Sequence, residues 1–109
     1  MSIRSWLFVP GDSERKLFKA RENVADALIL DLEDAVADDR QTIAREMICE
    51  YLNARTERSQ QLWVRINPLD HEFSLYDLAA VMPGAPNGIV ARKTSTSSWK
   101  RIITAMSPV

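Results

Sequence analysis

The chain has 109 residues, 46% hydrophobic and 27% charged, with 14 basic against 15 acidic side chains and a formal charge of −1. That balance describes a globular chain and gives no electrostatic reason to expect nucleic acid or an anionic membrane as a partner. No apolar run approaches the roughly 18 residues of a membrane helix and "MSIRSWLF" is too short for a signal peptide, so one small domain over 1–109 and a cytoplasmic location are expected.

Strand-like and helix-like segments alternate along the chain. "SWLFVPG" is an aromatic and β-branched run closed by Pro-Gly, which predicts strand one near 5–10. Asp12 or Ser13 can cap a helix running to about Arg21. "ALILDLED" predicts strand two near 27–33 and raises a question, because Asp31, Glu33 and Asp34 follow directly on buried-looking residues. After Asp38 and Asp39, the residues Ile43, Ala44, Met47, Ile48, Tyr51 and Leu52 recur at amphipathic helix spacing. Cys49 lies within that pattern and reads as a buried spectator. "QLWVRINP" predicts strand three near 62–67. Ser74 then suits the cap of a short helix carrying Leu75, Leu78, Ala79 and Met82, and "NGIVARK" predicts strand four near 88–92. The segment from Ser97 to Met106 is read as a fourth helix.

This βαβα order implies an α/β fold with parallel strands, either an open doubly wound sheet or the first four βα units of a (β/α)8 TIM-type barrel. In both, sites form at the C-terminal ends of the strands. Strand parity puts Leu28, Leu30 and Leu32, and likewise Leu62, Val64 and Ile66, beneath helices. The opposite parity gathers Asp31, Glu33, Arg65 and Asn67, together with Lys93, at a polar rim. Arg65 then has two readings. It is a structural ion-pair partner of Asp31 or Glu33, or its planar fork meets a substrate carboxylate or keto oxygen, and one site can hold both.

Four segments, "RSWLFVPGDSERK", "ADALILDLEDAVADDR", "LWVRINPLD" and "DLAAVMPGAPNGIV", in this order and spacing, resemble the N-terminal part of the citrate lyase β-subunit-like family within the HpcH/HpaI aldolase and citrate lyase group. The resemblance covers residues 3–93. It implies a β/α barrel, a trimer or hexamer, and Mg²⁺-dependent making or breaking of a carbon–carbon bond in β-hydroxyacyl thioesters such as citryl-, malyl- or methylmalyl-CoA. Arg65 matches the family's substrate-carboxylate arginine, and Glu33 and Asp34 match the acidic pair beside the metal, acting through metal-bound water. Phe8 matches the pocket wall, and Arg15, Lys19 and Arg40 match basic positions that meet the CoA ester. Taken without the resemblance, the bases of the first helix read as a solvated face, and "GDSERK" lacks the second glycine and Lys-Ser/Thr pair of a P-loop.

Departures from the family pattern set further expectations. Arg92-Lys93 stands where Pro-Lys is usual, and His71 reads as an exposed loop residue. A barrel needs about 250 residues and eight strands, and the family's direct metal carboxylates lie on strands five and six. The chain is therefore read as a truncated barrel, inactive by itself, with Phe8, Ile29, Trp63 and Ile89 turned toward water, so that marginal stability, self-association or dependence on a missing partner segment is expected. The alternative is a non-catalytic remnant or assembly module that keeps half of the fold. A receiver-like phosphoacceptor is set aside, because the third strand offers Arg65 where an acceptor aspartate is needed.

Overall fold

The computed structural model describes residues 3–94 and the backbone of Ile102–Ile103. Strand β1 (Trp6–Pro10) leads to helix α1 (Glu14–Ala20), and β2 (Ala27–Asp31) leads through a 3-10 turn (Asp38–Arg40) to α2 (Gln41–Ala54). Then β3 (Gln61–Arg65) is followed by α3 (Phe73–Val81), a second 3-10 turn (Met82–Gly84), β4 (Gly88–Val90) and β5 (Ile102–Ile103). The strands lie in the order β1-β2-β3-β4-β5, with the first four parallel and β5 antiparallel to β4. The fourth helix expected over 97–106 falls mainly outside the described residues; where it is described, at Ile102–Ile103, the backbone is this strand.

Sequential strand order decides between the two architectures. A doubly wound sheet reverses its order and carries helices on both faces, whereas here each parallel strand lies beside its predecessor and the helices share one face. Leu17 and Ala20 of α1, Ala44, Ile48 and Leu52 of α2, and Val81 of α3 join Leu28, Leu30, Leu62, Val64 and Ile89 in one buried cluster. Full burial of each leucine, isoleucine or valine among them contributes about 1.5–3 kcal/mol. The arrangement is that of consecutive βα units in a TIM-type barrel. Among the described residues no helix is long and apolar enough to cross a membrane.

The opposite face of the sheet differs from expectation. Ile29 and Trp63 are buried with Ala27 and Val90, Ile3 packs against this second cluster, and the Trp6 ring meets Trp63 edge-on at a centroid distance of 5.3 Å. Ile89 is also buried, because its parity places it under the helices. Only Phe8 of the four is exposed, with Trp6 beside it on β1.

Local chemistry sets the element ends. Ser13 caps α1, its hydroxyl accepting from Lys16 N at 3.3 Å. α3 begins without a side-chain cap: Ser74 lies inside it, donating to His71 O at 3.0 Å. His71 is half-buried, its Nδ1 accepting from Phe73 N at 3.0 Å. Leu75 and Ala79 are exposed, so the inward stripe of α3 is Ser74, Asp77 and Val81, with Leu78 partly buried. Cys49 is half-buried and takes a weak contact from Asn53 Nδ2 at 3.5 Å.

Candidate functional site

β2 stops at Asp31 because the side chain competes with the sheet for backbone amides. Its Oδ1 accepts from Glu33 N at 2.8 Å and its Oδ2 from Ala35 N at 3.1 Å, which turns the chain out of the strand. The same two oxygens accept from Arg65, Nε at 2.9 Å and Nη2 at 2.6 Å. Asp31 and Arg65 are register partners on neighbouring parallel strands, so the pairing follows from the ladder itself. The structural reading of Arg65 therefore holds. Its hydrogen bonds to Asp31 are the main cause of a pKa raised above the ordinary arginine value; the charges of Asp31, Glu33 and Asp34 add to them and burial opposes.

Glu33 lies beside this pair. Its Oε1 is 3.7 Å from Arg65 Nε, and its Oε2 is 3.1 Å from Arg92 Nε. Arg92 also reaches Asp34, its Nη2 lying 3.1 Å from each carboxylate oxygen. Oε1 of Glu33 is fully buried and makes no hydrogen bond. Burial, and then the charge of Asp34, push the Glu33 carboxyl above its ordinary value against the opposing pull of Arg92 and Arg65.

The rim thus gathers Asp31, Glu33, Asp34 and Arg65 as expected, but its second base is Arg92 and not Lys93. Parity explains the correction: Ile89 and Ala91 pack under the helices, so Arg92 shares the face of Val90 and Trp63 while Lys93 does not.

Asn67 is the other correction. Beyond Arg65 the strand has ended, alternation lapses, and Asn67 turns toward the helices. Its backbone N and its Nδ2 both donate to Asp77 Oδ2 at 2.8 Å, and Nδ2 also reaches Gln41 Oε1 at 3.0 Å. Gln41 donates to Leu32 O at 2.8 Å, and Arg45 Nε donates to Asp77 Oδ1 at 2.7 Å. This buried network fastens the ends of β2 and β3 to α2 and α3 beneath the rim. Asp77, completely buried, escaped notice in the sequence; its only signal is its place between Ser74 and Val81 on the inward stripe.

The basic positions are spread out. Arg15, Lys16 and Lys19 are exposed on α1, and Lys16 and Lys19 line a depression of about 350 Å³ with Leu7, Phe8, Val9 and Pro10. Arg40 is tied to the β1–α1 loop, Nε donating to Asp12 Oδ2 at 3.0 Å and Nη2 to Asp12 O at 3.1 Å. Phe8 is brought to the rim, its ring centroid 4.8 Å from the Arg65 guanidinium carbon.

Mg²⁺ needs several oxygen donors. Among the described residues no group of three His, Cys, Asp or Glu side chains is arranged to hold a metal, and the three rim acids are each within ion-pair distance of arginine. These residues do not fit direct coordination of the ion.

Comparison with known proteins follows the same line. The model of the HpcH/HpaI aldolase/citrate lyase family matches residues 4–106. A (3S)-malyl-CoA thioesterase of Cereibacter sphaeroides (strain KD131) is 37% identical over 106 residues, covering 97% of this chain and 37% of that protein. Citrate lyase subunit beta of Escherichia coli (strain K12) is 38% identical over 94 residues, covering 86% and 31%. Among solved structures, CitE from Mycobacterium tuberculosis in complex with magnesium, acetoacetate and coenzyme A is similar at a TM-score of 0.67 and 32% identity, over 85% of this chain and 33% of that one. The chain thus spans about a third of the length of the relatives it matches. It belongs to the HpcH/HpaI aldolase/citrate lyase family.

Proposed function

We propose that this chain carries the carboxylate-holding part of the active site of a Mg²⁺-dependent carbon–carbon lyase acting on a β-hydroxyacyl-CoA of the citryl-, malyl- or methylmalyl-CoA type. The observation that carries the reading is the pairing of Arg65 with Glu33 at the strand ends: a protonated guanidinium beside a buried carboxylate with one unbonded oxygen. Breaking the carbon–carbon bond leaves an enolate, and fixed cationic donors lower the barrier to such an oxyanion. In this reading Arg65 holds a carboxylate of the oxo-acid, Phe8 walls the pocket, and Glu33 and Asp34 orient water or move a proton at the rim. A bound Mg²⁺ supplies Lewis-acid polarisation of the oxo oxygen. Arg15, Lys19 and Arg40 meet the CoA ester, Arg40 only after giving up part of its hold on Asp12. A homo-oligomer in the cytoplasm completes the proposal.

Support comes from the family and from the CitE structure bound to magnesium, acetoacetate and coenzyme A. The test is cleavage of citryl-, malyl- and methylmalyl-CoA, with and without Mg²⁺, by the chain alone and by the chain supplied with the remaining part of a citrate lyase subunit beta. Turnover that requires Mg²⁺ and falls at least about 100-fold in Arg65→Ala is expected, the loss of an oxyanion-stabilising donor being of that size. Absence of turnover in both formats would favour the non-catalytic assembly module.

A further inference from the structure

Asp31 is almost completely buried, yet its carboxylate faces four donors: Oδ1 takes Glu33 N and Arg65 Nε, and Oδ2 takes Ala35 N and Arg65 Nη2. A carboxylate has about four acceptor sites and a guanidinium has five N–H donors in a rigid plane. Asp31 is thereby saturated, but Arg65 is not. The bonds to Asp31 use the side edge of the guanidinium, between Nε and Nη2. The end edge, formed by Nη1 and the second N–H of Nη2, makes no hydrogen bond among the described residues. Among the described residues the fully buried side-chain atoms without a hydrogen bond are Glu33 Oε1, Arg45 Nη2 and Arg92 Nε, none of them on Arg65, whose side chain is 12% exposed. One flank of the guanidinium is taken by the Phe8 ring.

We propose that Asp31 is a positioning residue that clips the side edge of Arg65 and the turn bearing Glu33 and Asp34 into one rigid unit, so that the Arg65 end edge is presented to a carboxylate ligand. This deepens the proposed function and rests on it for the ligand class. A merely structural ion pair would leave the guanidinium free to exchange partners when an anion arrives. Here the two amide bonds from Glu33 and Ala35 anchor Asp31 independently of Arg65. An incoming carboxylate therefore adds to the end edge and does not displace Asp31. Both bidentate edges of one arginine would then be used, one for the protein and one for the ligand.

The experiment is nitrogen-detected NMR of the arginine side chains in the 109-residue chain, titrated with acetoacetate as the carboxylate probe. In the wild type the Arg65 Nε–H signal is expected to be protected from solvent exchange and to stay in place, while the Nη signals shift with acetoacetate. In Asp31→Asn, protection of Nε–H falls at least tenfold and acetoacetate binding weakens at least tenfold. Arg65→Lys keeps the exchange protection of the Glu33 and Ala35 amides and loses acetoacetate binding. An Nε–H that is unprotected, or that moves with acetoacetate in the wild type, overturns the clip, and this arm decides even if Asp31→Asn does not fold. A protected Nε–H with no Nη shift leaves Asp31 as a clip and overturns the ligand reading together with the carboxylate role of Arg65.

Discussion

Arg92 Nε stands 3.1 Å from Glu33 Oε2, so the residue two positions beyond β4 balances the charge of the turn that follows β2. Removing it leaves a largely buried carboxylate with one partner fewer. Arg92→Gln is expected to cost about 1–3 kcal/mol, the usual penalty for leaving a buried polar group underbonded, and to move the Glu33 carboxyl still further upward. Urea unfolding and a carbon-detected titration of Glu33 check the two effects separately.

Glu33 also sets a pH dependence. Its folded pKa lies above the ordinary 4.5, so between that value and its folded pKa the native state binds more protons than the unfolded chain. Stability therefore declines as pH rises through this window. Glu33→Gln cannot titrate, and its unfolding free energy measured from pH 4 to 7 should lack that decline. A slope identical to the wild type's would mean that Glu33 is not the group responsible.

Asp77 links three elements from a fully buried position. Asp77→Ala strands Arg45 and the amide of Asn67, and breaking a buried charge pair by removing one partner costs about 3–5 kcal/mol. In a domain of ordinary stability, about 5–15 kcal/mol, that loss should lower the urea midpoint steeply. A midpoint unchanged within error would show that the network is not holding the strand ends.

Gly88 on β4 faces Trp63 on β3 so closely that a Cβ there would overlap the indole ring. The indole is also fixed by Nε1 donating to Gln61 Oε1 at 2.9 Å. Gly88→Ala is expected to cost about 1–3 kcal/mol as an overpacking change and to alter the near-ultraviolet circular dichroism of the tryptophans.

Trp6 and Phe8 are 40% and 42% exposed on β1, which pairs with β2 on one side and, among the described residues, with no strand on the other. An apolar strand edge of this kind invites association. Sedimentation velocity of the 109-residue chain should show a mass that rises with concentration, and Trp6→Lys should reduce it. A concentration-independent monomer with a sharp unfolding transition would contradict this expectation.

Periodicity alone determined the alternating order of strands and helices, and parity alone placed Leu28, Leu30, Leu62 and Val64 beneath the helices, because neighbouring side chains on a strand must point to opposite faces. The same rule gave Asp31, Glu33 and Arg65 a common end. Tertiary structure decided the rest. Sequential strand order became visible only with the sheet assembled, since every short βα repeat is locally the same in both architectures. Alternation holds only while the strand lasts: Asn67, two residues past β3, left the rim for the helix network. Polar groups inside helices carry no periodic signal of their own, which hid Asp77 until its partners after β3 and on α2 were in place. The clustering of the acids after "ALIL" at the strand end was legible in the sequence; which oxygen meets which arginine depended on strand register and on a turn that Asp31 itself makes.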